Sequence, residues 1–160
     1  MKKKLLIVAA VLAVGICIVV TSQSNIYSKV IGSFENPTLY FNGITFDRNA
    51  TFDNYDASGQ ELEEYHNLTK KLVEISIEDI KNLNVKKESK IESSDNIVLG
   101  LEEDDNLVYF YDNGKILVEK EGRYYGYSYV PEELNSIFDT LQQEIAGYNQ
   151  AAENWYMMIE

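Results

Sequence analysis

Three tyrosines at alternate positions near the carboxyl end of the chain, Tyr125, Tyr127 and Tyr129, are the side chains best suited to binding a ligand. Side chains two residues apart in a β-strand project from the same face of a sheet, which leaves Tyr124 and Val130 for the other face. On an open face the row would be an aromatic platform for a sugar, a peptide or a partner protein. On a covered face it would be core or cross-strand packing. The sequence leaves both alternatives open.

No set of side chains in the sequence matches a known catalytic pattern. His66 is the only histidine, and a catalytic imidazole needs both a partner and an orienting group. The sequence contains no Gly-x-Ser-x-Gly, His-Glu-x-x-His or phosphate-binding glycine motif. Carboxylates are abundant, but a glycosidase must hold two of them at a defined separation across a cleft. We therefore expect no enzymatic activity, with a small carboxylate-dependent hydrolase as the third alternative.

The densest acidic run, residues 102–105, could attract Ca²⁺ outside the cell. A calcium loop, however, spaces its ligands and includes a glycine at its sharp turn, and this run does neither. We interpret the run as the solvated tip of a hairpin. Cys17 is the only cysteine, so a thiolate metal site is excluded. The sequence predicts neither a metal nor a cofactor.

The amino terminus has the features of an export signal. Three lysines at positions 2–4 precede the apolar run 5–20, and a polar stretch, residues 21–24, follows it. Sixteen apolar residues form about 24 Å of helix, slightly less than the bilayer core of about 30 Å. We predict a signal anchor at residues 1–24, a transmembrane helix that leaves the rest of the chain outside the cytoplasmic membrane. The alternative is secretion after cleavage near Ser22.

Cys17 does not fit a lipoprotein signal. It follows Ile16 instead of a small residue and lies inside the apolar run. Cys17 is the only cysteine, so no disulfide can form within the chain. The exported part therefore lacks the internal disulfides that secreted domains often use. The exported domain must therefore depend on its hydrophobic core, for which its length is sufficient.

The exported part of the chain is strongly acidic. Without residues 1–24 the chain has 136 residues, which suits a single domain. It retains 11 basic and 26 acidic side chains, a formal net charge of −15. A surface of this sign repels phosphate backbones, so nucleic acid is excluded as a partner.

The first half of the exported part predicts a tether, a strand and a helix. Residues 25–37 are polar and form the tether, and residues 38–46 form a first strand with a bend at Asn42-Gly43. Ser58 begins a capping box that opens an amphipathic helix. Its apolar stripe consists of Leu62, Tyr65, Leu68 and Leu72. Residues 73–83 fit either a strand or a second short helix after a kink, and we favour the helix.

The second half predicts four short strands followed by a helix. Apolar alternation begins at residue 97, and turns at residues 112–115 and 121–122 connect the later strands. Pro131 opens an amphipathic helix that Gly147 ends. Residues 148–160 form an apolar tail that docks on the domain.

These elements predict an α+β fold over residues 38–147. An antiparallel sheet with a four-strand carboxyl-terminal meander is packed on one face by two amphipathic helices.

The order of anchor, tether and compact domain resembles small exported or membrane-anchored α+β proteins of Gram-positive bacteria. The resemblance is one of layout, without a diagnostic motif; it implies an extracytoplasmic setting and assigns no functional residue. Our leading hypothesis is a non-enzymatic, membrane-tethered domain that binds a protein or a cell-wall component. The alternative is an accessory or structural subunit of a membrane complex, docked through its anchor and tail. The sequence does not identify the ligand or the oligomeric state.

Overall fold

The computed structural model describes residues 31–47, 49, 59–90, 94 and 96–159, and it gives side-chain surroundings as far as residue 150. The predicted transmembrane segment 1–24, the cleavage site at Ser22 and most of the predicted tether lie outside these residues. In the part of the chain that is described, no helix combines the length and the apolar character needed to cross a membrane.

One antiparallel sheet contains all seven strands found in the described ranges. In chain order the strands are β1 (Thr38–Phe41), β2 (Ile44–Phe46), β3 (Lys86–Glu88), β4 (Ile97–Glu103), β5 (Asn106–Tyr111), β6 (Lys115–Lys120) and β7 (Arg123–Ser128). Across the sheet the order is β2-β1-β4-β5-β6-β7-β3. Strands β4 to β7 are consecutive neighbours, which gives the four-strand meander.

Two long helices lie in the described ranges, α1 (Gly59–Ile80) and α2 (Asn135–Ile159). They pack against the same side of the sheet and share one core with it. The predicted α+β class, with an antiparallel sheet and two helices, is confirmed. The side chains buried most completely are Phe110, Ile31, Leu39, Leu72, Leu99, Leu101, Ile116, Leu134, Ile137, Leu141 and Val108.

The first predicted strand is a hairpin and not a single bent strand. Asn42 and Gly43 both have positive φ angles, +47° and +80°, as a two-residue type I′ turn requires. The chain therefore reverses between β1 and β2, and Phe41 pairs with Ile44.

Helix α1 continues without the predicted kink through the ambiguous region. Leu72, Val73 and Ile80 extend the buried stripe that begins at Leu68, so helical periodicity prevails over the alternation of residues 73–77. The hydroxyl of the buried Ser76 donates to the Leu72 carbonyl at 2.8 Å, which satisfies its polar group inside the helix.

Helix α2 extends beyond its predicted end. Pro131–Leu134 forms a 3-10 turn before it, and the helix then runs past Gly147 to Ile159. Glycine costs about 1 kcal/mol relative to alanine inside a helix. Ile145 and Tyr148, on either side of Gly147, both pack against the core and can offset this cost. Most of the predicted docked tail is therefore part of α2.

Two short segments differ from the sequence interpretation. Ile31 is buried and Phe34 packs against the core, so the end of the predicted tether belongs to the domain.

Strand β3 has the sequence Lys-Lys-Glu and no apolar alternation, so no strand pattern is visible there in the sequence. Lysines on a short edge strand are typical of edges protected against pairing with other chains.

Candidate functional site

Strand pairing assigns each side chain of the sheet to one of two faces. Residues directly opposite in neighbouring strands share a face. Leu101 pairs with Val108, Val108 with Val118, and Val118 with Tyr125. The first three are buried in the core shared with the helices. This series therefore defines the covered face.

The tyrosine row of β7 lies on the covered face. Tyr127 and Tyr129 are 2% and 7% exposed and belong to the core, and Tyr125 is partly buried against it. The Tyr129 hydroxyl donates to the Tyr111 carbonyl at 2.6 Å, and its ring meets Phe110 edge-on at 5.4 Å. Of the two alternatives for this row, the burial fits core packing. The neighbouring Tyr124 projects from the opposite face and is 54% exposed.

The opposite face, called the open face below, carries two rows of side chains that cross the central strands. None of these residues belongs to the core cluster. All of the non-glycine members are partly or fully exposed. The first row consists of Tyr40, Gly100, Tyr109 and Leu117, and the second consists of Glu102, Leu107, Glu119 and Tyr124.

The ring of Tyr109 lies directly against the backbone of Gly100. A Cβ atom at position 100 would be 2.7 Å from Tyr109 Cδ1 and 3.4 Å from Tyr40 Cβ. Glycine is therefore required for the ring to lie this close to the neighbouring strand. The Tyr109 ring also meets the Tyr40 ring edge-on, at 5.7 Å between centroids and 84° between planes, a favourable aromatic geometry.

Glu102 joins the two rows through the tyrosine hydroxyls. The Tyr109 hydroxyl donates to Glu102 Oε2 at 2.5 Å. Burial, followed by the Glu102 carboxylate, raises the pKa of Tyr109 above its ordinary value of 10.0. The same two causes raise the pKa of Tyr40. Both phenols therefore stay protonated at neutral pH, and the carboxylate is held in place as a fixed acceptor.

A polar depression of about 380 Å³ lies next to this cluster, where β1 begins and β4 ends. Its lining consists of Asn36, Thr38, Tyr40, Asn49, Glu102, Glu103 and Asp104. Glu103 accepts the backbone N–H groups of Glu35 and Asn36 at 2.7 and 2.6 Å. These bonds fix the segment before β1 to the end of β4.

Two smaller depressions flank the start of α2. One, of about 350 Å³, is lined by Tyr129, Pro131 and Phe138 among others. The other, of about 340 Å³, includes Asn84 and Glu133. Asn84 donates its backbone N–H and its Nδ2 to the Glu133 carboxylate at 3.0 and 3.2 Å, so Glu133 holds the chain before β3 against the start of α2.

The geometry of the open face is suited to binding. It provides aromatic surfaces together with carboxylate acceptors, which can contact a ligand by stacking and by charge-assisted hydrogen bonds.

The single histidine lies away from the open face. His66 is half-buried on α1, with its ring 6.1 Å from that of Tyr65. Among the residues that the structure describes, no group of three His, Cys, Asp or Glu side chains is placed to hold a metal ion.

The sequence interpretation did not identify Tyr40, Glu102 and Tyr109 as site residues. Part of the signal was present, because strand alternation puts Leu107 and Tyr109 on one face of β5 and Val108 and Phe110 on the other. Joining Tyr109 to Glu102 and Tyr40 requires the pairing of β5 with β4 and of β4 with β1. Strands β1 and β4 are separated by more than fifty residues in the chain.

Comparisons of the chain with protein-family models, with curated proteins and with solved structures returned no match.

Proposed function

We propose that this protein is a non-enzymatic binding domain that engages a protein or a cell-wall component outside the cytoplasmic membrane. The contact surface is the open face. One observation carries the proposal: the helices and the core occupy one side of the sheet, while the other side presents tyrosines, leucines and carboxylates in two ordered rows.

The composition of the open face supports a role in recognition. Tyrosine supplies a large, rigid contact area with little side-chain entropy to lose, which favours its use at binding surfaces. Tyr124 is 54% exposed. Leu117 is diagonal to it on the neighbouring strand, and Leu107 lies in the same row beyond Glu119. Such a contiguous, partly apolar strip is typical of an interaction site.

The Tyr109–Glu102 hydrogen bond adds preorganisation. A side chain that is already fixed in its bound geometry loses less entropy when a ligand arrives. The carboxylates of Glu102 and Glu119 then define the polarity of the ligand, which must present N–H, O–H or cationic groups to them. Both a basic protein surface and a hydroxyl-rich glycan meet this requirement.

The signal anchor, residues 1–24, determines where this domain would bind its ligand. In our proposal, these residues carry the domain across the membrane and hold it at the outer surface as a transmembrane anchor. The formal net charge of −15 on the rest of the chain favours solubility there and disfavours anionic partners.

Sedimentation of the full-length protein with purified Gram-positive cell walls tests the proposal for a wall ligand. Site-specific cross-linking in cells from position 117, a partly exposed position on the open face, tests it for a protein partner. The double variant Tyr40→Ala/Tyr124→Ala should lose most of the retention or cross-linking. Val130→Ala is the matched control, because Val130 is 50% exposed but lies beyond the end of β7, at the start of the 3-10 turn, and belongs to neither row. Equal binding by the double variant and the wild type would refute the proposal.

A further inference from the structure

The chain contains two Asn-Gly dipeptides, both in tight turns, and the structure places them in opposite environments. We propose that Asn42 is a site of spontaneous deamidation and that the fold protects Asn113 from the same reaction. The inference concerns the covalent chemistry of the chain and is independent of the binding function proposed above.

The reaction needs only the two residues and water. The backbone nitrogen of the glycine attacks the side-chain carbonyl carbon Cγ of the asparagine and forms a new C–N bond. The amide C–N bond of the side chain breaks, and ammonia leaves with the proton that the glycine nitrogen loses. Water then opens the resulting succinimide ring at either carbonyl, which gives aspartate or isoaspartate. The reaction involves no oxidation or reduction.

The reacting groups of Asn42 and Gly43 are accessible. Both residues are exposed, and a Cβ atom at Gly43 would have no heavy atom within 4 Å. Within the described part of the chain, the Gly43 N–H and the Asn42 side chain have no hydrogen-bond partner. The turn is fixed on its amino side, where the Asn42 N–H donates to the Val98 carbonyl at 3.2 Å. The nucleophile is therefore accessible and so is the carbonyl that it attacks.

Asn113 and Gly114 are held on both sides. The Gly114 N–H donates to the Tyr111 carbonyl at 3.1 Å, and the Gly114 carbonyl accepts the Tyr129 N–H at 3.0 Å. Gly114 is buried, with the Tyr129 carbonyl oxygen only 3.1 Å from the position of a Cβ atom. The Asn113 Oδ1 atom accepts the Lys115 N–H at 3.1 Å. Attack by the Gly114 nitrogen would break these bonds together.

Modification of Asn42 changes the edge of the sheet. Aspartate adds one negative charge at the β1–β2 turn. Isoaspartate also inserts a methylene group into the main chain at position 42, which is incompatible with the two-residue turn and with the pairing of Phe41 and Ile44. Formation of isoaspartate should therefore loosen β2 from β1.

The test follows both dipeptides in the same protein sample. The full-length protein is incubated at mildly alkaline pH in native buffer and, in parallel, in guanidinium chloride. Peptide mass mapping then measures the conversion of amide to acid at each asparagine. In native buffer, conversion at Asn42 should be at least tenfold faster than at Asn113. In denaturant the two rates should become similar, because the local sequence is then the only influence.

Three outcomes decide the proposal. Selective conversion of Asn42 in the native protein, with similar rates in denaturant, supports it. Conversion of Asn113 at an equal or higher rate in the native protein overturns it, and so does protection of both sites in the native protein. Asn42→Gln is the control variant, since glutamine forms the corresponding ring much more slowly. Asn36 lies in the same tryptic peptide as Asn42. It is followed by Pro37, whose backbone nitrogen has no hydrogen and so cannot make the attack.

Discussion

The phenol of Tyr109 and the carboxylate of Glu102 are joined by a 2.5 Å hydrogen bond across the open face. The two residues belong to neighbouring strands, where Glu102 pairs with Leu107, so Tyr109 occupies the diagonal position. A diagonal contact of this kind is within reach of an aromatic side chain. The bond therefore connects the aromatic row to the row that carries the carboxylates.

Tyr109→Phe should weaken this connection with little change in shape. The variant keeps the ring against Gly100 but removes the donor to Glu102. A hydrogen bond to a charged group contributes about 1.5–3 kcal/mol, and partial exposure reduces this, so we expect the free energy of unfolding to fall by about 1 kcal/mol. Chemical denaturation measures the change. Tyr124→Phe removes the corresponding bond between an exposed hydroxyl and Glu119 and is the matched control. It should leave stability nearly unchanged, because solvent screens this interaction.

The glycines at positions 100 and 147 should respond to alanine in opposite directions. A methyl group at Gly100 would be 2.7 Å from the Tyr109 ring, and overpacking of this kind costs about 1–3 kcal/mol. Gly147 lies inside α2 with no heavy atom near its Cβ position. Alanine there should stabilise the protein by about 0.5–1 kcal/mol. Paired thermal melts of Gly100→Ala and Gly147→Ala would contradict the structure if the two shifts had the same sign.

Stability should fall at alkaline pH. Burial, followed by the charge of Asp112, raises the pKa of Tyr129 from 10.0 to about 12. Below pH 10 both the folded and the unfolded states keep the proton, and the contribution of Tyr129 is complete. As the pH rises from 10 towards 12, the unfolded chain releases the proton while the folded chain retains it, so unfolding becomes more favourable.

Denaturation curves between pH 9 and 12, read with tyrosinate absorbance, would detect this loss. Burial also raises the pKa of Tyr111 and Tyr127, so the decline should persist in Tyr129→Phe with a shallower slope. The variant also loses the hydrogen bond to the Tyr111 carbonyl, which lowers stability by about 0.5–1.5 kcal/mol at all pH values, since that carbonyl still accepts the Gly114 N–H. Constant stability across this range would contradict the burial of these tyrosines.

Truncation of two tyrosines in β7 should separate core from surface. Tyr127 is 2% exposed and Tyr124 is 54% exposed. Removing a buried aromatic ring costs about 3–5 kcal/mol, so Tyr127→Ala should unfold at a much lower denaturant concentration. Tyr124→Ala should stay within about 0.5 kcal/mol of the wild type. Similar denaturation midpoints for the two variants would show that the row has been assigned to the wrong face.

The sequence was sufficient for the class of the fold and for most of its elements. Alternating apolar residues and the Asn-Gly turn defined the meander, and the helical stripe from Leu62 onward defined α1. The errors occurred where local signals were weak or conflicting. Gly147 looked like a helix end because its packing against the core was not visible in the sequence. Strand β3 lies at the edge of the sheet and contains only charged residues, so it has no apolar pattern.

The candidate site depends on strand register, which a single sequence does not specify. Tyr40 and Tyr109 lie far apart in the chain and meet only because Gly100 pairs with both of them. The helix-covered side of β7 was also undetermined, because Tyr125 and Tyr127 could serve equally well as core or as surface. The pairing of Val118 with Tyr125 decides the question in this structure.

The turn at Glu121 and Gly122, with φ angles of +51° and +72°, sets the orientation of the whole last strand. It contains two residues, and side chains in a strand alternate between faces, so one inserted residue would rotate every side chain that follows. Tyr124 would then turn inward, while Tyr125 and Tyr127 would face solvent. Insertion of a single residue in this turn would thus expose a different set of aromatic side chains from the same strand.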